Sequence, residues 1–469
     1  MFLFRLGARR QIGWKLRKPR AVEKVCSVFG VHSAPHGDTL EDVACMLDVA
    51  EVQECVCRMV EKLIRKKVLD AFRLLGKLWV IAIDGTGTVN YGERHCPYCL
   101  TRTCKKTGKT VYYHNVLEAK LVTPNGFAFS IMTEFIENPH EHPTKQDCEL
   151  KALYRLTKRL KKRFPKLPIV LSLDGLYACG PVFDLCRKHN WHYIAVMKDD
   201  DLPSVREEFK SLAQLAPEDR LSQRTSKGEL WTTQAFTWVN DISYVDTAKR
   251  EHAVSVIECV ETSLARKKVN TAPAAQPSTT PGDEMNQAAL GAAPVAPAEG
   301  ATPSAPPQAA GTEPSCSTRS RPRRRRRRKQ ARQEKHIEKV ISTNRHVWVT
   351  DFTVTREVVS ELANYAGRCR WKVENEGFNV QKNGGFSLEH AYSNDPNSAK
   401  VYYLLLQMAR TLGQLMEKGS LLRRFFPQGF GANKNLAFDL LEAWRNAPPG
   451  VPEVCTCLQS RFQIRFDTS

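Results

Sequence analysis

This sequence predicts a mixed α/β fold, and three observations carry the prediction. Two nearly continuous apolar runs, LWVIAID at 78–84 and LPIVLSLD at 167–174, read as strands buried on both faces. Strand-like stretches at 110–123 and 127–137 are joined by Pro124-Asn125-Gly126, a turn signal. Segments 145–163 and 181–190 carry apolar residues at helical spacing, the second opened by proline, and WHYIAVMK at 191–198 fits a further strand. The predicted order is three strands, helix, strand, helix, strand. These elements make residues 76–198 the first part of an α/β core.

The flanks follow the same logic. Residues 1–75 read as helical: the stretch from Leu40 to Leu69 has apolar residues three and four apart, and Asp38 or Thr39 can cap its start. Its segment from Arg58 to Arg73 is basic. Such a region serves either as a DNA-binding module or as helices packed on the next domain. Residues 199–355 form a β-rich insertion, with strands expected at 234–245, 252–261 and 346–354. Within it, about 270–332 is a tract of Ala, Pro, Thr, Gly and Gln ending in arginines. That composition cannot bury enough apolar surface to offset chain entropy, so disorder is expected there. Helical periodicity returns at 356–382 and 397–420, giving a second part of the core at 356–425. Residues 426–469 read as a C-terminal tail.

At 469 residues the chain has room for two to four domains. Seventy Lys and Arg oppose fifty Asp and Glu, a net charge of +20. Ten positive charges lie between Arg319 and Arg332, so about +10 remains outside that run. An excess of this size points to a polyanionic partner, nucleic acid above all. No apolar stretch is long enough to span a bilayer, so no membrane partner is expected. The N-terminus lacks the apolar core and cleavage site of a signal peptide. Fifteen scattered cysteines in such a chain fit a reduced cytoplasmic setting.

The chemistry is written at two strand ends. Ile83-Asp84-Gly85 and Leu173-Asp174-Gly175 each place a carboxylate where α/β folds bind ligands, at the carboxyl ends of strands. One Asp-Gly after a strand is usually a turn. Two of them, on the first and fourth strands of the predicted order, can meet around a cation. A third carboxylate is sought on the helix at 356–382, where Arg370 and Glu374 are four apart and share a face. Glu376 is the rival, roughly 200° away around an α-helix.

Here the residues resemble a known family. Arg370-Trp371-Lys372-Val373-Glu374 is similar to the arginine–tryptophan–x–aliphatic–glutamate core of insertion-sequence transposases of the DDE class with a Tyr–Arg–Glu–Lys signature. Asp84 in AIDGTG and Asp174 in LSLDGLYACG match that family's two aspartate motifs. The resemblance covers about residues 40–200 and 340–420. At the signature's tyrosine position stands Gly367, with Tyr365 two residues earlier; at its lysine position stands Gln381, followed by Lys382.

The resemblance implies a ribonuclease-H-like sheet and a DNA transposase that cleaves and joins the ends of its mobile element. Asp84, Asp174 and Glu374 would be the catalytic triad, holding two Mg²⁺ ions, or Mn²⁺, about 3.5–4 Å apart for in-line displacement at phosphorus. Asp84 would bridge both ions. Arg370 and Lys382 would contact DNA phosphates. The partners implied are double-stranded DNA, both element ends and target, with a homodimer assembled on it in the bacterial cytoplasm. Two other readings stand beside this one: a catalytically inactive DNA-binding relic, and a ribonuclease-H-like nuclease without strand transfer. Within the insertion, Trp238 either stacks on an unpaired base or belongs to a core, the second being the plainer reading.

One further cluster sits between the first two strands. Cys96 and Cys99, with Cys104 and His114, could form a tetrahedral structural zinc site. The irregular spacing of the last two ligands favours reduced thiols in a loop instead.

Overall fold

The computed structural model describes residues 1–268, 336–423, 426, 428–429 and 431–446. The disorder expected at 270–332 therefore falls outside the described residues. The chain divides into two compact units. The first takes in Met1–Thr225, Thr232–Ser263 and Ser342–Ser469; the second takes in Ser226–Trp231 and Leu264–Ile341.

The first unit is α/β with a mixed, partly parallel sheet. Its strands are β1 (Trp79–Tyr91), β2 (Leu100–Thr103), β3 (Thr110–Val122), β4 (Ala128–Ile136), β5 (Ile169–Leu173) and β6 (His192–Val196); β7 (Arg220–Lys227), β8 (Leu230–Val245), β9 (Glu251–Lys268) and β10 (His336–Thr350) lie mostly in it and have one end each among the residues of the second unit. The sheet order is β2-β3-β1-β5-β6-β10-β9-β8-β7, with β4 on β3. β1 runs antiparallel to β3 and parallel to β5, and β5 runs parallel to β6. β10 then pairs antiparallel with β6 through Trp348 and Val196, so the strands of the expected insertion continue the same sheet.

Alternation along β1 explains the layering. Trp79, Ile81 and Ile83 enter one apolar cluster, with Leu153, Leu156 and Leu160 of helix α5 (Glu149–Arg163) and Val182 and Phe183 of helix α6 (Gly180–His189). Val80 and Ala82 enter another, with Val401, Leu404 and Leu406 of a long later helix. Successive strand side chains point to opposite faces, so a sheet covered on both sides reads as an unbroken apolar run.

The N-terminal region forms α1 (Arg10–Leu16), α2 (Pro19–Phe29), α3 (Gly37–Met46) and α4 (Val49–Arg65). Asp48 caps α4 by accepting from the Ala50 N–H. α4 buries Val56, Cys57 and Val60, and its Gln53 side chain accepts from the Thr133 N–H of β4. Its basic residues are largely paired: Arg58 with Glu54 and Arg65 with Glu61. α7 (Pro203–Leu215) follows β6.

The segment 359–383 is not a regular α-helix. It begins as α8 (Val359–Glu361), widens to π turns at Leu362–Gly367, tightens to a 3₁₀ turn at Arg368–Arg370, widens again at Val373–Asn379 and ends as α9 (Val380–Asn383). Wide turns of this kind recur at functional sites. The Ser172 hydroxyl of β5 donates to the Ala366 carbonyl, giving one freed acceptor a partner. α10 (Pro396–Lys418) is the long helix of the second cluster, followed by α11 (Ser420–Arg423) and α12 (Asn433–Asn446). α12 lies within the stretch read as a tail, and its Ala443 and Trp444 carbonyls accept from Lys24 of α2.

Candidate functional site

Asp84 and Asp174 stand level with one another. The last parallel pair of β1 and β5 is Ala82 with Ser172, and each aspartate lies two residues beyond it. Adjacent strands run about 4.8 Å apart, so the register alone makes the two residues neighbours. β5 ends before Asp174, as expected. β1 does not end at Asp84: it continues to Tyr91, pairing Asp84 with Glu118 of β3. What ends near Asp84 is the parallel pairing, because β5 is the shorter strand.

The glycines that follow the aspartates have a different reason from the turn expected of them. A Cβ on Gly85 would clash with the Glu149 carboxylate, and a Cβ on Gly175 would clash with Asp201. Gly85 thus makes room for a fourth carboxylate. Glu149 opens α5 and accepts from the Tyr177 hydroxyl at 3.3 Å. Sequence reasoning missed it, since a glutamate in the first turn of a helix normally needs no explanation beyond the helix dipole. The steric demand at Gly85 is visible only in three dimensions.

All five side chains proposed from the sequence line one cleft of about 1150 Å³: Asp84, Asp174, Arg370, Glu374 and Lys382. Trp371, Asn375, Phe378 and Asn379 share its helical wall. Glu376 is turned away, paired with Lys372 at 3.6 Å. The choice of Glu374 over Glu376 rests on α-helical phase; the observed segment is partly 3₁₀ and partly π, yet the two glutamates still face apart. The departures from the signature also have physical reasons. A Cβ at Gly367 would run into the indole of Trp348, so no tyrosine fits there. Gln381 is fully buried and donates to Gln407, while Lys382 is the one on the cleft.

The electrostatics are coupled. Burial pushes the Asp84 carboxyl up to about 6, against the pull of Arg370 and the Gly85 N–H; the carboxylates of Asp174 and Glu149 push in the same direction as burial. Burial also works against ionisation of Asp174, but the Gly175 N–H, Arg370 and Lys198 outweigh it and hold that carboxyl below the usual range. Burial raises Glu149 as well. Two cations hold the aspartates: Arg370 Nη1 lies 3.3 Å from Asp84 Oδ2, and Lys198 Nζ lies 3.3 Å from Asp174 Oδ2. Arg370 is nearly buried, and its Nε has no hydrogen-bond partner. Lys382 is paired with Glu389 at 2.8 Å.

Trp238 is buried in the second apolar cluster, so base stacking is not its role. Cys104 is exposed and outside the Cys/His cluster; His95 takes its place beside Cys96, Cys99 and His114. The zinc ligand set expected from the sequence is corrected accordingly. A second group that could hold a metal is Asp184, Asp246 and His252. There the Arg250 guanidinium already lies 2.6 Å from both carboxylates, so the cation those acids need is supplied by the chain. No helix among the described residues is long and apolar enough to cross a membrane. No protein-family model matches the chain, and no curated protein matches it.

Proposed function

We propose that this chain is a DNA transposase of the DDE class, a polynucleotidyl transferase that cleaves DNA at its element's ends and joins them to a target. The observation that carries the reading is the level placement of Asp84 and Asp174 on adjacent parallel strands, with Glu374 and Arg370 in the same cleft. The strand order, three antiparallel strands followed by two parallel ones, is compatible with a ribonuclease-H-like core. The net charge of +20 suits a DNA partner.

The donor set fits Mg²⁺. Asp84, Asp174 and Glu374 offer only hard oxygen ligands, on an open cleft that also admits substrate. Asp84 is a buried acid with other carboxylates close by, the environment in which a cation relieves most repulsion. When bound there, two Mg²⁺ ions would activate the attacking oxygen and stabilise the leaving one. The chain's own residues do the rest. Arg370 orients the Asp84 carboxylate and adds positive charge at the cleft wall. Lys382 and Lys198 add positive charge along the cleft, as a phosphodiester backbone requires. Trp371, half exposed and with the Arg370 guanidinium 4.7 Å from its ring centre, offers a flat apolar face beside them.

The test is incubation of purified protein with Mg²⁺ and duplex DNA bearing the sequences that flank its gene. Cleavage at the element ends and joining to a target are expected. Cleavage without joining would instead make the chain a nuclease, and binding without cleavage a DNA-binding relic.

A further inference from the structure

We infer that His95, Cys96, Cys99 and His114 form a structural zinc site that fastens the β1–β2 connection onto β3. One donor atom from each of the four lies within 4.8 Å of the others. The individual separations are 3.4 Å between the two sulfurs, 3.3 Å and 3.5 Å from Cys96 and Cys99 to His114 Nε2, and 3.2 Å from Cys99 to His95 Nδ1. Zinc binds sulfur at about 2.3 Å and nitrogen at about 2.0–2.1 Å, which spaces the corners of a tetrahedron about 3.4–3.8 Å apart. Those four separations match such edges to within a few tenths of an ångström. Its composition, two thiolates and two imidazoles, is a closed structural set with no position left for substrate.

The local backbone is shaped for this role. The Cys99 N–H reaches the Cys96 carbonyl, closing a tight turn that brings the two sulfurs together. Both cysteines are buried, while His95 is exposed and its ring lies tilted against Tyr91 with ring centres 3.7 Å apart. The Asn138 side-chain amide anchors the loop by donating to the Cys99 carbonyl.

The position gives the site its purpose. β1 and β3 run beyond the parallel core with β2 on the far side of β3, and a bulge between Gly87 and Val89 shifts the register from Asp84 opposite Glu118 to Val89 opposite His114. There β1 pairs with β3 alone, since its parallel pairing with β5 has ended at Ala82. A metal joining His95, Cys96 and Cys99 of the connection to His114 of β3 closes the free end of the strand that carries Asp84. The role is distinct from catalysis, so zinc and the Mg²⁺ of the proposed chemistry occupy different ligands.

The test measures metal on the full-length protein. Purified without chelators and reloaded with equimolar Zn²⁺, wild type should hold one zinc per chain by mass spectrometry. Co²⁺ in its place should give the intense visible bands of a tetrahedral centre with thiolate charge transfer. Cys104→Ser should keep the full metal content. His95→Ala, at an exposed side chain, should surrender zinc to a chromophoric chelator that leaves wild type loaded. Cys96→Ser with Cys99→Ser should bind none. Less than a tenth of an equivalent on reloaded wild type overturns the assignment, as does an octahedral Co²⁺ spectrum. Loss of metal from Cys104→Ser, or unchanged retention by His95→Ala, overturns this ligand set.

Discussion

Asp84→Asn should make the metal-free protein more stable at pH 8. The folded Asp84 carboxyl titrates near 6 instead of 3.8, chiefly because of burial, and that value already includes the attraction of Arg370. Below about pH 4 both folded and unfolded chains carry it protonated, and it costs nothing. As pH rises, the unfolded chain ionises first, so stability falls from about pH 4 and the loss is complete above about pH 6. The full difference corresponds to about 3 kcal/mol above pH 6 and roughly half of that at pH 5. The side chain is 21% exposed, so solvent screening removes only a minor part. Asparagine keeps the shape without the charge. Urea denaturation with chelator at pH 5 and pH 8 should therefore show the variant ahead of wild type, by the larger margin at pH 8. Adding Mg²⁺ at pH 8 should stabilise wild type and leave the variant unmoved. Apparent metal affinity should drop about tenfold per pH unit below about 6, as one proton must leave. A variant that is less stable than wild type at pH 8, or equally shifted at both pH values, would refute the reasoning.

Glu374→Gln should abolish Mg²⁺-dependent cleavage while DNA binding, followed by gel shift, stays within a few-fold; Glu376→Gln should cleave normally, and the reverse pattern would place the wrong glutamate in the cleft. Gly367→Ala should cost about 1–3 kcal/mol in denaturation experiments, because the new methyl meets the Trp348 indole; an unchanged midpoint would mean that the indole moves freely aside. Deleting residues 319–332 should weaken DNA binding at low salt and flatten the log–log salt slope, by about 0.9 for each phosphate that is no longer neutralised, with cleavage of bound ends preserved. An unchanged slope would show that those arginines do not touch DNA.

The parts of the fold legible in the sequence are those where one physical demand dominates. β1 and β5 are covered on both faces, so their apolar runs could hardly be anything else, and the aspartates that close those runs stand out by contrast. β7 was not legible: Arg220–Lys227 is polar and largely exposed, as an outermost strand can be. Nor was the continuity of the sheet past β6, since the pairing of Trp348 with Val196 joins residues far apart in sequence. The cleft residues on 359–383 could be read from spacing, but the π and 3₁₀ turns could not, because they depend on what packs outside the helix. His95 and Cys104 lie four and five residues from Cys99, so spacing along the chain does not choose between them as ligands; donor geometry brings in His95 and leaves Cys104 out.

The wide turns at Leu362–Gly367 have a consequence for how this segment can change in length. In a regular α-helix, losing one residue rotates everything downstream by about 100° and would carry Glu374 off the cleft. A π turn holds one residue more than an α turn. A deletion inside 362–367 can be absorbed by relaxing that turn to α, with Arg370, Glu374 and Lys382 kept in phase. Deleting one residue inside 362–367 should therefore leave the site in phase, whereas deleting one between Arg370 and Glu374 should break it.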